Sequence, residues 1–157
     1  MKSVLFVCLG NICRSPLAEG ILRHKSEACG LKLKIDSAGT GHWHAGENPD
    51  KRATKTAQKH GIDISGLVAR QIKAEDFDNF DWILVADAEV YGGTLAIARN
   101  ESDKKKVDLI MNLVYPGSNM AVPDPYFGGM DGFEKVFDML DKACNSLLKL
   151  CDIGNKV

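Results

Sequence analysis

Apolar residues along this chain follow two periodicities that take turns. Val4-Leu5-Phe6-Val7 is an unbroken β-branched and aromatic run, which predicts a strand covered on both faces. Ser15 then caps a helix with Pro16 at its first position, and Leu17, Ala18, Ile21 and Leu22 fall on one helical face. Leu31 to Asp36 alternates with a period of two and predicts a second strand, ending before Ser37-Ala38-Gly39-Thr40. Asn48-Pro49 opens a helix that runs to His60 and stops at Gly61, and Trp82 to Ala86 reads as a third, buried strand. Ala88 to Asn100 is helix-like, weakened by Gly92-Gly93. Val107 to Met111 predicts a fourth strand, and residues 112–129, rich in Pro, Gly, Asn and Tyr, predict a loop. From Asp131 onward, Phe133, Val136, Phe137, Leu140, Ala143, Leu147 and Leu148 mark the apolar face of a final helix.

Strands that alternate with helices predict an α/β fold, because parallel neighbours need crossover helices. The expected architecture is a sandwich with helices on both faces of a parallel sheet of about four strands. No repeat or linker interrupts it, and 157 residues suit one domain spanning residues 1–157. In such sheets ligands bind beyond the carboxyl ends of the strands, where Cys8 and the loop after Ser37 both fall.

Composition narrows the function. Apolar residues are 45% and charged residues 26%, which excludes a disordered chain. With 20 basic and 21 acidic side chains the formal net charge is -1, so no basic field exists to hold nucleic acid or an anionic membrane. An anion site must therefore be local. Lys104-Lys105-Lys106 is expected to be solvated surface beside a strand. The cysteines at 8, 13, 29, 144 and 151 form neither an even disulfide framework nor a metal-binding pair, which favours a reducing compartment. The N-terminal apolar run ends at Leu9, too short for a signal segment, and no run reaches the length of a membrane span. A cytoplasmic protein without membrane insertion is expected. His42 and His44 sit two apart with no third ligand nearby, so no metal is expected, and nothing implies a cofactor.

The chemistry concentrates in Val4-Leu-Phe-Val-Cys-Leu-Gly-Asn-Ile-Cys-Arg-Ser-Pro16. A loop that leaves a strand and enters a helix turns the backbone amides of Leu9, Gly10, Asn11, Ile12 and Cys13 toward one centre, and the helix terminus adds partial positive charge. Gly10 and Asn11 tolerate the left-handed angles that tight curvature demands. Arg14 offers a planar fork for two oxygens of a tetrahedral anion. Cys8 faces the same centre, where amides, Arg14 and the Ser15 hydroxyl all favour its thiolate over its thiol. The expected result is a thiolate attacking phosphorus while amides and Arg14 hold the equatorial oxygens. Peroxide is expected to join Cys8 to Cys13 reversibly, since both thiols share one short loop.

The stretch VLFVCLGNICRSPLAEG closely resembles the phosphate loop of low-molecular-weight protein tyrosine phosphatases. The resemblance continues, in the family's order, through IDSAGTGHWHAGENPDKRA, HGIDISGLVARQI, DFDNFDWILVAD and VPDPYFGG. It implies the fold read above, with phosphotyrosine and aryl phosphate monoesters as substrates and a cysteinyl-phosphate intermediate. It makes Cys8 the nucleophile, Arg14 the phosphate-binding arginine and Asp124 the general acid, where Asp-Pro alone would be only a turn element. Asn11, Ser15 and Ser37 match residues that hold the loop, and Leu9, Trp43, Tyr126 and Phe127 match the walls of a slot for a phosphorylated ring. Trp43 read alone also suits core packing. Implied partners are phosphotyrosine proteins, a tyrosine kinase among the candidates, with inorganic phosphate or vanadate as inhibitors.

Three positions depart from the family's pattern. Gly66-Leu67-Val68 stands where a histidine often supports the loop asparagine, Val90 replaces a frequent asparagine, and Phe127 replaces a second tyrosine. Two other readings remain. A thiol-dependent arsenate reductase would need Cys144 and Cys151 as relay thiols, although both fall in the apolar pattern of the final helix. A non-catalytic phosphate-binding module would keep the cradle without the chemistry.

Overall fold

A computed structural model describes residues 2–155. The chain runs β1 (Lys2–Cys8), α1 (Arg14–Ala28), β2 (Leu33–Gly39), α2 (Lys51–Lys59), α3 (Asp76–Asn79), β3 (Trp82–Val85), α4 (Ala88–Leu95), α5 (Glu101–Lys105), β4 (Val107–Leu109), a 3-10 turn at Ile110–Leu113 and α6 (Met130–Asn155). Its four strands are all parallel, in the order β2-β1-β3-β4. The chain moves to one side of β1 to make β2 and to the other to make β3. The strand order therefore reverses at β1, and the crevice of an open parallel sheet lies beyond the carboxyl end of that strand. Cys8 is its last residue.

β1 divides the core residue by residue. Val4, Phe6 and Cys8 pack with Leu17, Ile21, Phe133, Val136 and Leu140 of α1 and α6. Leu5 and Val7 pack with Phe77, Phe80 and Val90, from α3 through the start of α4. A strand buried on both faces carries no polar alternation, which is why the Val-Leu-Phe-Val run reads so plainly. Cys144 and Cys151 lie in the same core as Phe133 and Leu140.

Several expected boundaries shift. β2 continues through Gly39, because parallel pairing matches Phe6 with Ser37 and Cys8 with Gly39 and so carries the strand to the end of β1. Ser37 is thus a strand residue. α1 begins at Arg14, with Cys13 at its cap and no side-chain capping bond; the Ser15 hydroxyl turns into the loop instead. Asp50 caps α2 by accepting from the Arg52 amide at 2.8 Å, one residue beyond Pro49. The helix expected from Ala88 to Asn100 ends at Leu95, and a separate helix starts after Asn100, which caps it by accepting from the Asp103 amide. β4 stops at Leu109, where the 3-10 turn begins. No helix among the described residues is long and apolar enough to cross a membrane.

Candidate active site

Residues 9–13 connect β1 to α1, and Leu9, Gly10, Ile12 and Cys13 line one slot with Cys8 and Arg14. Asn11 takes φ +58°, a left-handed angle that asparagine accepts more readily than most residues. Gly10 does not share it. There the absence of a side chain matters for closeness, since a Cβ would lie 2.9 Å from the His44 ring. Gly39 supports the loop from behind, where a Cβ would meet Leu9 O at 2.8 Å. From β2's end, the Thr40 amide donates to Cys8 O (3.0 Å) and the Gly41 amide to Leu9 O (2.9 Å).

A chain of hydrogen bonds then fixes the loop and orients a donor at the sulfur. Asn11 Oδ1 accepts from the Arg70 amide at 3.0 Å, which assigns Nδ2 to the Ser15 hydroxyl (2.7 Å) and the Ser37 hydroxyl (3.0 Å). The Ser37 hydroxyl donates to Glu19 Oε1 at 2.7 Å, and Arg23 donates to Glu19 Oε2 at 2.6 Å. Because Ser15 accepts from Asn11, its own proton can go to Cys8 Sγ at 3.0 Å or to Ala38 O at 3.4 Å. The Cys8 sulfur is the nearer of the two acceptors. Leu67, at the position lacking the histidine, packs against the core, so the support of Asn11 comes from Arg70 and Ser37. The Arg70 side chain is itself clamped by Asp76, at 3.0 Å through each Nη, and by Asp36.

Arg14 is buried beneath the loop, 2% exposed, and its donors are divided. Nη1 gives its protons to Asp87 Oδ2 (2.6 Å) and Val122 O (2.9 Å). Nη2 and Nε make no hydrogen bond among the described residues, which leaves two parallel N–H groups for a tetrahedral anion. Burial opposes the guanidinium charge, but Cys8, Asp87 and Asp124 outweigh it and hold the pKa above its ordinary value. Asp87 is in turn fixed by capping α4, where Oδ1 accepts from the Val90 amide at 2.9 Å. Val90 contributes that amide, while its side chain packs in the core. Burial, then Asp50, Cys8 and Asp124, push the Cys13 thiol up against a smaller opposing effect of Arg52. Cys13 is therefore protonated near neutral pH.

Across the crevice, Asp124 lies between two prolines with Oδ2 3.8 Å from Arg14 Nη2 and Oδ1 accepting from the Tyr126 amide at 3.0 Å. One slot is lined by Cys8, Leu9, Gly10, Ile12, Cys13, Arg14, Trp43, His44, Asp124, Tyr126 and Phe127. Asn11, Ser15 and Ser37 stand behind it. Trp43 is 66% exposed and forms slot wall, so core packing does not describe it. Phe127 is 91% exposed at the rim, edge-on to Tyr126 with centroids 5.0 Å apart.

Sequence reasoning passed over Glu19 and Arg70, weighed His44 only as a metal ligand, and gave Asp87 no part in holding Arg14. Glu19 lies off the face formed by Leu17, Ala18, Ile21 and Leu22, so its burial, at 3% exposure, had no signal in the helical pattern. Among the described residues no group of three or more His, Cys, Asp or Glu could hold a metal ion. Cys144 and Cys151 are buried in α6, with burial raising both thiol pKa values. A disulfide relay through them would require that helix to open.

Residues 3–156 match the family described as low molecular weight phosphotyrosine protein phosphatase. The low molecular weight protein-tyrosine-phosphatase YfkJ of Bacillus subtilis is 42% identical over 152 residues, covering 94% of each chain. The low molecular weight phosphotyrosine protein phosphatase of Schizosaccharomyces pombe is 41% identical over 149 residues, 93% of this chain and 94% of that protein. Among solved structures, a protein tyrosine phosphatase from Entamoeba histolytica superposes with a TM-score of 0.91 at 36% identity, covering 99% of both chains.

Proposed function

Because the chain belongs to the low molecular weight phosphotyrosine protein phosphatase family and is a hydrolase of that kind, we propose that it cleaves phosphotyrosine and other aryl phosphate monoesters through a cysteinyl-phosphate intermediate. The observation that carries this reading is the meeting of Cys8, the free side of Arg14 and Asp124 in one aromatic-walled slot.

In the first step the Cys8 thiolate attacks phosphorus opposite the phenolic oxygen. The amides of residues 9–13 and Arg14 Nη2 and Nε hold the three equatorial oxygens, where charge is redistributed in the transition state. As the P–O bond breaks, the Asp124 carboxyl gives its proton to the departing oxygen, so that a neutral phenol leaves. In the second step the Asp124 carboxylate takes a proton from water, the water oxygen attacks phosphorus, and the S–P bond breaks. Inorganic phosphate leaves and the thiolate returns, stabilised again by the Ser15 hydroxyl at 3.0 Å. Asp87 keeps the phosphate-facing edge of Arg14 aimed at the loop by engaging Nη1.

The ring sits between Trp43 and Tyr126, with Leu9 and Phe127 at the mouth, which favours phosphotyrosine over the shorter phosphoserine. Phosphotyrosine proteins, a tyrosine kinase among them, are the proposed partners, with phosphate and vanadate as competitive inhibitors. Thiolate chemistry needs a reducing compartment, so the proposed location is the cytoplasm. Turnover of p-nitrophenyl phosphate and of a phosphotyrosine peptide tests the proposal. Reduction of arsenate with thioredoxin, without ester hydrolysis, would instead make the protein a reductase, and binding of phosphate without turnover of either would make it a binding module.

A further inference from the structure

The first turn of α2 reaches both halves of the slot. On one side the Asp50 amide donates to Ile12 O of the phosphate loop at 2.8 Å. The Asp50 carboxylate then orients Arg52, accepting from its amide (2.8 Å), from Nε (3.1 Å) and from Nη2 (3.0 Å). Held in that plane, the guanidinium spends its outer protons on the acid-bearing segment: Nη2 donates to Tyr126 O at 2.8 Å and Nη1 to Gly128 O at 2.9 Å. Its face lies over the Phe133 ring of α6, 4.7 Å from the centroid, and 5.6 Å from that of Tyr126.

Apart from the ion pair of Asp124 Oδ2 with Arg14 Nη2 at 3.8 Å, little else holds residues 123–129, which makes this clamp consequential. Upstream, Val122 is tied to Ala86 and to Arg14. Downstream, Gly132 bonds back to Gly129 as α6 begins. Between them the Tyr126 amide bonds to Asp124 and the Gly128 amide to Pro125, both within the segment. Among the described residues, the two bonds from Arg52 are the only hydrogen bonds that join residues 123–129 to a distant part of the chain.

We propose that Arg52 is a positioning residue for proton transfer: fixed by Asp50 to the phosphate loop, it holds the Tyr126 and Gly128 carbonyls and so sets where the Asp124 carboxyl meets the leaving oxygen above Cys8. The inference rests on the reading of Asp124 as the general acid. Misplacing a reacting group by about 1 Å can cost about 10²-fold. Loss of Arg52 should therefore act on the step that needs the proton and leave the phosphate cradle alone. Lysine cannot replace it fully, since one ammonium does not present a planar fork to two carbonyls and a carboxylate.

The test is rapid-mixing measurement of the phosphorylation step across phenyl phosphates of differing phenol pKa, with inhibition by inorganic phosphate measured alongside. It compares Arg52→Gln, Arg52→Lys, Asp124→Ala and Arg52→Gln combined with Asp124→Ala against the unaltered protein. Arg52→Gln is expected to slow phenyl phosphate by roughly 10-fold or more, to slow esters of acidic phenols less, and to leave phosphate inhibition nearly unchanged. Arg52→Lys should fall between it and the unaltered protein, and it supplies the same comparison if the glutamine variant does not fold. The double variant should behave as Asp124→Ala alone. Equal slowing of every leaving group, a parallel loss of phosphate binding, or further slowing of Asp124→Ala by Arg52→Gln would overturn the proposal. A steepened leaving-group dependence in Asp124→Ala with none in Arg52→Gln would overturn the positioning role alone. An unaltered dependence in Asp124→Ala would remove the acid assignment, and this inference with it.

Discussion

The phosphate loop and the acid segment face each other across one slot, yet they are built on opposite principles. At the loop, Cys8, Arg14 and Ser15 are at most 3% exposed, and a chain of hydrogen bonds runs from the Arg70 backbone amide through the side chains of Asn11 and Ser37 to Glu19 and Arg23. The acid segment leaves the Asp124 side chain 36% exposed and Phe127 91% exposed, and among the described residues its only hydrogen bonds to distant parts of the chain come from Arg52. Stabilising a transferring phosphoryl group requires dipoles that do not reorganise during reaction, and a left-handed Asn11 persists only where its surroundings over-determine it. In the proposed mechanism the proton donor, Asp124, instead shares its segment with the slot walls Tyr126 and Phe127, which admit and release a ring. Rigidity is concentrated where charge is stabilised, and exposure where the substrate enters.

That contrast can be broken in order of expected effect. Cys8→Ser should lower turnover by roughly 10⁴-fold or more, the scale on which removing a covalent nucleophile acts, while the protein still binds phosphate. Steady-state hydrolysis of p-nitrophenyl phosphate beside phosphate binding by calorimetry checks it; loss of both together would mean the loop had collapsed. Asp124→Ala, on the exposed side, should cost about 10²- to 10⁴-fold on phenyl phosphate and clearly less on p-nitrophenyl phosphate, with phosphate inhibition retained. Comparable losses on the two esters would make the acid segment a binding element only.

Ser37→Ala touches neither substrate nor sulfur, but it removes an acceptor for Asn11 Nδ2 and a donor to the buried Glu19. It should cost about 1–3 kcal/mol of stability and weaken phosphate binding, whereas a rim substitution such as Phe127→Ala should leave stability nearly unchanged. Urea unfolding of both variants sharpens the comparison. The smallest effect concerns alkaline pH. Burial raises the thiol pKa of Cys13 and of Cys144, so above about pH 8.5 the unfolded chain loses protons that the folded protein keeps. Stability is thus fully present below that pH and falls above it, by about 1.4 kcal/mol per pH unit for each thiol. Unfolding midpoints between about pH 8 and pH 10 should fall less steeply in Cys13→Ala than in the unaltered protein.

The same contrast explains what the sequence makes legible. The loop is a local object: a doubly buried strand, Gly-Asn, then Arg-Ser-Pro and a helix, all within one short stretch, so its chemistry can be read from neighbours along the chain. The ladder of strands and helices is legible for the same reason, since each element carries its own periodicity. Elements without a period of their own are not. α3, four residues long, gives no helical stripe, and the end of β2 depends on pairing Gly39 with Cys8. Asp87 and Arg52 look like surface charges because their partners are remote: Arg14 is 73 positions from Asp87, and Arg52 is 74 from Tyr126. Asp124 becomes readable only through resemblance, because an Asp between prolines is otherwise a turn.

The central claim, that a phosphoryl group passes through Cys8, is tested most directly by rapid-quench mass spectrometry during turnover of p-nitrophenyl phosphate. The predicted result is a burst of phenol equal to the enzyme present, together with phosphate on the peptide that contains Cys8, appearing with the burst and decaying as inorganic phosphate is released. Hydrolysis at full rate with no phosphate on that peptide, or an undiminished burst from Cys8→Ser, would contradict it.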